Sequence, residues 1–182
     1  LRALVEWGSD RALAVWVGAV SSGEQVGVDP VLVLEGLQYL DRLPDAIVQW
    51  LVDCSRAKDE VLSGMAIQVM GELGHRVRSE DPQRARRLAQ SLEQSVRDPA
   101  VSLQHRADAF QAMGRIGEPS SVNVLGEFTR SEEPLLRATA MRALGAFEGE
   151  KRVVDWARRG FREDEDEGVV LACGEVLARL AG

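Results

Sequence analysis

The side chains of this sequence that are best suited to chemistry are two histidines and two cysteines. His75 and His105 lie in separate, turn-like contexts, and Cys54 and Cys173 belong to no CxxC pattern. A zinc site needs three or four Cys, His or acidic ligands at short spacing, and the sequence contains no such group. Glycine-rich phosphate loops, GxSxG and HExxH are also absent. We therefore predict no cofactor or metal, two core cysteines, and an exposed His105 at a helix start.

The stretch "FREDEDEG" (161–168) contains the densest run of carboxylates. Such a run is a candidate for a divalent cation or for a basic partner, although it is too short for an EF-hand loop. The alternative that we favour is a solvated turn whose acids stabilise the N-terminus of the following helix. The run consists of Glu163, Asp164, Glu165, Asp166 and Glu167.

The stretch "HRVRSEDPQRARR" (75–87) is the densest basic segment. Arg84, Arg86 and Arg87 fall outside the apolar stripe of a predicted helix and are candidates for phosphate binding, since guanidinium suits planar anions. Acidic residues surround them, so we favour a mixed, solvated helix face. These acids are Glu80, Asp81, Glu93 and Asp98.

Composition restricts the class of protein. The 182 residues carry 22 basic and 29 acidic side chains, a formal charge of −7, and no segment is strongly basic. The electrostatic signature of a nucleic-acid binder is therefore missing, and anionic membranes are disfavoured in the same way. The small number of cysteines favours a cytoplasmic location.

An internal repeat organises the chain. Small residues recur at Gly71, Gly114, Gly145 and Ala178, and each is preceded by Met or Leu and followed two positions later by Leu, Ile or Phe. Two weaker copies are anchored at Val5 and Asp41. Residues at these offsets share one face of an α-helix. Glycines in register inside helices predict close approach of neighbouring helices, where a side chain would obstruct packing.

Each segment between these helices also looks like one amphipathic helix, and no run has the alternation expected of strands. Repeats of 30 to 43 residues with this pattern are usually stacked helical hairpins. We predict one all-α domain over 1–182, with units at 1–8 (partial), 9–43, 44–74, 75–117, 118–149 and 150–182.

The segment "EEPLLRATAMRALGAFEG" (132–149) resembles the second helix of a HEAT-like repeat, and 98–117 is similar to it. The resemblance implies a right-handed α-α superhelix of about five hairpins. It implies that Arg106 and Arg137 tie neighbouring turns together through an acidic residue of the preceding loop, forming a ladder of arginines along the repeats. The ladder is broken at Ser63 and Val170, which occupy the corresponding positions. HEAT-like iron enzymes use paired "HE" dipeptides, which are absent here.

The same resemblance places the second helices on a concave face. Polar residues three before and one after each anchor would then line a groove with mixed charge and amides, which suits a protein or peptide partner. The groove residues are Gln68, Glu72, Gln111, Arg115, Arg142, Glu175 and Arg179.

The leading hypothesis is a non-catalytic interaction scaffold. The alternatives are a HEAT-like enzyme, similar to DNA glycosylases or bilin lyases, and a structural spacer in a larger protein. Residues 1–8 resemble the end of a second helix, so we also expect the chain to be a segment of a longer array or a mature fragment with its front removed. The alternative is a free N-terminal capping helix. The sequence does not specify an oligomeric state.

Overall fold

The computed structural model describes residues 30–37 and 43–180, and every regular element within these ranges is an α-helix. The partial unit 1–8 and the anchors Val5 and Asp41 lie outside the described residues. The helices are α1 Pro30–Leu37, α2 Asp45–Ser55, α3 Glu60–Val77, α4 Pro82–Arg97, α5 Leu103–Ile116, α6 Ser121–Phe128, α7 Pro134–Leu144, α8 Lys151–Glu163 and α9 Glu167–Leu180.

The helices form two rows. Each of α2, α4, α6 and α8 packs against the helix that follows it, so the described ranges contain four complete hairpins. The second helices also pack on one another in the order α1, α3, α5, α7, α9, and this row is packed more closely than the row of first helices. The predicted architecture, an α-solenoid of stacked hairpins, is confirmed.

Close approach between second helices occurs at the anchor glycines, as the repeat predicted. A Cβ added to Gly71 would lie 2.9 Å from Cα of Ala112, and one added to Gly114 would lie 2.9 Å from the carbonyl oxygen of Ala143. A Cβ on Gly145 would lie 3.0 Å from Cγ2 of Val176. The spacing of the helix backbones therefore requires glycine at Gly71 and Gly114, whereas at Gly145 the contact is with a side-chain methyl group.

Local signals explain where the second helices begin. Asp59 accepts hydrogen bonds from the amides of Val61 and Leu62, and Ser102 accepts one from the amide of His105. Asp166 likewise accepts from the amide of Val169 at the start of α9. These caps satisfy backbone donors that a helix leaves unpaired in its first turn.

The 43-residue interval between Gly71 and Gly114 includes the end of α3 and all of α4, which with 18 and 16 residues are the two longest helices in the described ranges. The placement of His75 in a turn was wrong, because α3 continues to Val77. Gly74 does not end the helix: its missing side chain admits Ile116 of α5, whose Cγ1 would lie 2.7 Å from an added Cβ.

The core is one continuous cluster of aliphatic and small residues that runs along both rows. Cys54 and Cys173 are buried and free, as predicted, and Trp50 is buried. Trp156 is half-buried, with the Arg152 guanidinium 5.7 Å above its ring. None of the helices in the described ranges combines the length and the apolar character that crossing a bilayer requires.

Candidate partner-binding surface

The seven polar residues predicted to line a groove all lie on second helices, and all are exposed. We call this set the second-helix surface. It contains three arginines, two glutamates and two glutamines, so it presents positive, negative and neutral polar side chains together. The members are Gln68 and Glu72 on α3, Gln111 and Arg115 on α5, Arg142 on α7, and Glu175 and Arg179 on α9.

Two ion pairs cross between adjacent repeats on this surface. Arg115 Nη1 lies 2.8 Å from Glu72 Oε1, and Arg142 Nε lies 3.0 Å from Glu175 Oε2. Each pair joins residues at the same offset from successive anchors, and all four side chains are about half exposed. Exposed pairs of this kind stabilise a fold by about 0.2–1 kcal/mol each. A partner can therefore replace them at little cost.

The remaining members of the surface keep their polar groups available. Within the described part of the chain, the amides of Gln68 and Gln111 and the guanidinium of Arg179 make no side-chain hydrogen bond. The second-helix surface thus combines ion-paired side chains with exposed polar side chains that are not bonded within the protein. That combination suits recognition of a polar or mixed-charge partner surface.

The two arginines assigned to the HEAT-like ladder behave differently from each other. Arg137 makes two 2.8 Å hydrogen bonds to the Asp164 carboxylate, and it also donates to the carbonyls of Ser131 and Glu132. It therefore ties two turns together, but its acidic partner lies in the following turn and not in the preceding loop. The guanidinium holds the pKa of Asp164 below its ordinary value.

The expectation for Arg106 was wrong, because its partner is not acidic. Its Nε donates to the carbonyl of Val96 at 2.8 Å, and its guanidinium lies 5.3 Å above the ring of Phe128. Asp164, the partner of Arg137, lies fourteen residues before the anchor Ala178. The equivalent residue for Arg106, fourteen before the anchor Gly145, is Ser131. Serine has no carboxylate, so Arg106 forms no ion pair with the following repeat and contacts it through the ring of Phe128.

The other candidate acids also have structural roles. In the run at 163–167, Asp164 pairs with Arg137 and Asp166 caps α9. The favoured interpretation, a solvated turn whose acids stabilise the next helix, fits Asp166, whereas Asp164 is largely buried against Arg137. Within residues 30–37 and 43–180, no group of three or more Cys, His, Asp or Glu side chains is placed to hold a metal ion.

The basic segment at 75–87 is a paired surface. Arg84 and Arg87 both contact Asp45 at 3.2 Å, and Arg86 contacts the buried carboxylate of Glu118 at 3.2 Å. The mixed face was anticipated, but Asp45 and Glu118 were missed as partners. Both lie at least 30 residues away in sequence, and only the stacking register brings them together.

The nucleophile candidates are poorly placed for catalysis. Burial raises the pKa of both cysteine thiols to about 11, so little thiolate exists at neutral pH. His75 Nδ1 lies 2.9 Å from the carbonyl of Arg115, and His105 Nε2 lies 3.1 Å from the carbonyl of Glu60. His105 is partly buried, not exposed. Both histidines therefore join neighbouring repeats.

Comparison with known proteins agrees with this architecture. Residues 90–178 match the family model of HEAT repeats. No curated protein matches the chain.

Proposed function

Because this chain is a HEAT-like repeat protein, we propose that it is a non-catalytic scaffold that binds a protein or peptide partner along the second-helix surface. HEAT repeats commonly mediate such interactions. As part of the same proposal we place it in the cytoplasm, which the two free, widely separated cysteines support.

The observation that carries the proposal is the arrangement of the second-helix row. Adjacent second helices approach to backbone contact at Gly71 and Gly114, whereas the first helices are less closely packed. The inner row of a curved stack is the more closely spaced one, which supports placing this row on the concave side. The exposed polar residues at fixed offsets would then follow one continuous groove.

Charge supports a protein partner over nucleic acid. The second-helix surface carries three arginines and two glutamates, and both glutamates are paired with arginines. A phosphate backbone requires a predominantly basic track, because its affinity comes from neutralising successive phosphates. A mixed surface with free amides is better matched to another protein.

The first test exchanges the charges of the two ion pairs. The variant Glu72→Arg/Arg115→Glu/Arg142→Glu/Glu175→Arg keeps both pairs but inverts the pattern that a partner meets. We expect the melting temperature to stay within a few degrees, because exposed pairs contribute little. We expect recovery of the partner on the immobilised chain to fall about tenfold or more, because like charges meet across the interface.

The matched control exchanges an equivalent pair on the first-helix row. Arg97 and Glu127 are 2.7 Å apart and similarly exposed, so Arg97→Glu/Glu127→Arg makes the same exchange of charges away from the second-helix surface. Proteins captured from native lysate are compared by mass spectrometry. A protein kept by the wild type and this control, and lost by the inverted variant, supports the proposal. Equal capture by all three removes the second-helix surface from consideration, and no capture by any favours a spacer.

A further inference from the structure

A polar cavity lies between two successive turns inside the stack of hairpins. It has a volume of about 570 Å³ and is lined by the turn between α2 and α3, the start of α3, the end of α4 and the start of α5. Ser63 forms part of its wall, and so does Asp98. The cavity shares no residue with the second-helix surface, and it does not depend on the function proposed for that surface.

Two arginines show what occupies the equivalent place in the following repeats. Ser63 lies eight residues before the anchor of its repeat, the position that Arg106 and Arg137 hold before their own anchors. The Arg106 guanidinium lies over the ring of Phe128, the last residue of α6. The Arg137 guanidinium bonds to Asp164, which directly follows α8. In both repeats an arginine therefore extends from a second helix to the end of the next first helix.

The acidic partner is present where the arginine is missing. Asp98 directly follows α4 as Asp164 follows α8, and each carboxylate accepts a hydrogen bond from the amide two residues further on. The turn at 98–102 is two residues longer than the turn at 164–166, so Asp98 lies sixteen residues before its anchor and Asp164 fourteen. Within the described residues Asp98 forms no ion pair and is exposed, whereas Asp164 is largely buried against its arginine.

The other acceptors of a guanidinium are also in place. Arg137 donates to the carbonyls five and six residues before it, in its own turn. The residues five and six before Ser63 are Lys58 and Ala57, which line the cavity, and in the described part of the chain their carbonyls accept no hydrogen bond. The Ser63 side chain is too short to use them, and its hydroxyl donates to the carbonyl of Ser55 at 2.9 Å. The cavity thus keeps the acceptors but lacks the cation.

The charged groups around the cavity favour a cation over an anion beside Asp98. Arg56 donates to the side-chain amide of a glutamine on α4 at 3.0 Å, and His105 Nε2 lies 3.1 Å from the carbonyl of Glu60. The Lys58 side chain is exposed and forms no ion pair with another described residue. An anion would meet the carboxylates of Asp98 and Glu60, whereas a planar guanidinium matches a carboxylate and neighbouring carbonyls.

We propose that the cavity between Ser63 and Asp98 binds an alkylguanidinium group, supplied either by a small molecule of the arginine class or by an arginine side chain of a peptide. The guanidinium pairs with the Asp98 carboxylate and donates to the carbonyls of Ala57 and Lys58. It thereby takes the place that an internal arginine holds in the next two repeats. The donors of a guanidinium point outward in a fixed fork, which suits several acceptors placed around one flat group.

NMR titration of the full chain tests the proposal with small molecules of matched shape. The probes are Nα-acetylarginine amide, Nα-acetylcitrulline amide, whose side chain has nearly the same shape but no charge, and inorganic phosphate. The arginine amide is expected to shift the backbone amide resonances of Ser63 and Ala100 with a Kd on the order of millimolar, since the carboxylate is exposed. It should bind at least tenfold more tightly than the citrulline amide.

A short glycine-serine peptide with one central arginine distinguishes the two sources of the guanidinium. Binding of this peptide about tenfold more tightly than the arginine amide supports the proposal with a peptide side chain as the source. Equal binding of the peptide and the amide supports it with the guanidinium group alone as the recognised feature.

Two variants address the cavity directly. Asp98→Asn keeps an acceptor for the amide of Ala100 but removes the charge, and it should weaken the arginine amide at least tenfold. Asp108→Asn is the matched control, because this carboxylate on α5 accepts from Gln104 and lies outside the cavity, and it should leave the affinity unchanged. Ser63→Arg restores an internal arginine, so it should abolish binding and raise the melting temperature by a few degrees.

Asp98→Asn and the citrulline comparison decide the question even if Ser63→Arg does not fold. Equal affinity for the arginine and citrulline amides, or equal affinity of Asp98→Asn and the wild type for the arginine amide, overturns the proposal. Shifts of the same resonances by phosphate but not by the arginine amide also overturn it, because the cavity then binds an anion.

Discussion

Gly114→Ala is expected to lower the free energy of unfolding by about 2 kcal/mol, although alanine is the better helix former. The added Cβ would lie 2.9 Å from the carbonyl oxygen and 3.0 Å from Cα of Ala143. Both are backbone atoms, so the overlap is relieved only if α5 and α7 move apart. Urea denaturation followed by circular dichroism measures the effect.

Two variants control this prediction. Gly64→Ala is expected to raise the stability by about 0.5–1 kcal/mol, because its Cβ meets nothing closer than 3.6 Å and the helix gains an alanine. Combining Gly114→Ala with Ala143→Gly should not restore stability, since the backbone contacts remain. A stabilising Gly114→Ala would contradict the close approach of the two helices.

Arg137→Leu is expected to cost about 3 kcal/mol, because it leaves a largely buried carboxylate at Asp164 without its cation. The substitution removes two hydrogen bonds to that carboxylate and two to the carbonyls of Ser131 and Glu132. Arg97→Leu, which breaks the exposed pair with Glu127, is the control and should cost less than about 1 kcal/mol. Equal losses in the two variants would show that Arg137 stabilises the fold no more than a surface pair.

The same ion pair predicts a pH dependence. Asp164 has a pKa below its ordinary value of 3.8, and the hydrogen bonds from Arg137 are the main cause. Its contribution is fully present above the ordinary pKa and is lost as the pH falls through the lowered pKa. The difference in stability between wild type and Asp164→Asn should therefore be constant from neutral pH to about pH 5 and should shrink in stronger acid. If this difference in stability instead grew as the pH fell, the pKa of Asp164 would be raised in the folded protein and the prediction would be wrong.

The helical repeat was predictable because its signals are local. Small anchors with apolar neighbours specify one helix face, and prolines and capping residues mark where helices start. The close approach at Gly71 and Gly114 followed from the same register. Even the exposure of the second-helix surface could be derived, since offsets from an anchor fix the side of a helix on which a residue lies.

The pairing between repeats was harder to predict, because it depends on which residues face each other across 30 or more positions. Arg106 and Arg137 occupy the same place in their repeats, yet only Arg137 meets an acid, because the turn after Arg106 has Ser131 in place of a carboxylate. Gly74 lies inside α3, and its missing side chain admits Ile116 of the next second helix.

Site-specific photo-cross-linking tests the scaffold proposal most directly. A photoreactive residue is placed at Gln111 on α5 or, as the control, at Gln90 on α4; both glutamines are exposed, and neither side chain makes a hydrogen bond within the described residues. The proposal predicts a discrete cross-linked protein from Gln111 in native lysate and none from Gln90. Cross-linking from Gln90 alone, or equally from both positions, would contradict binding along the second-helix surface.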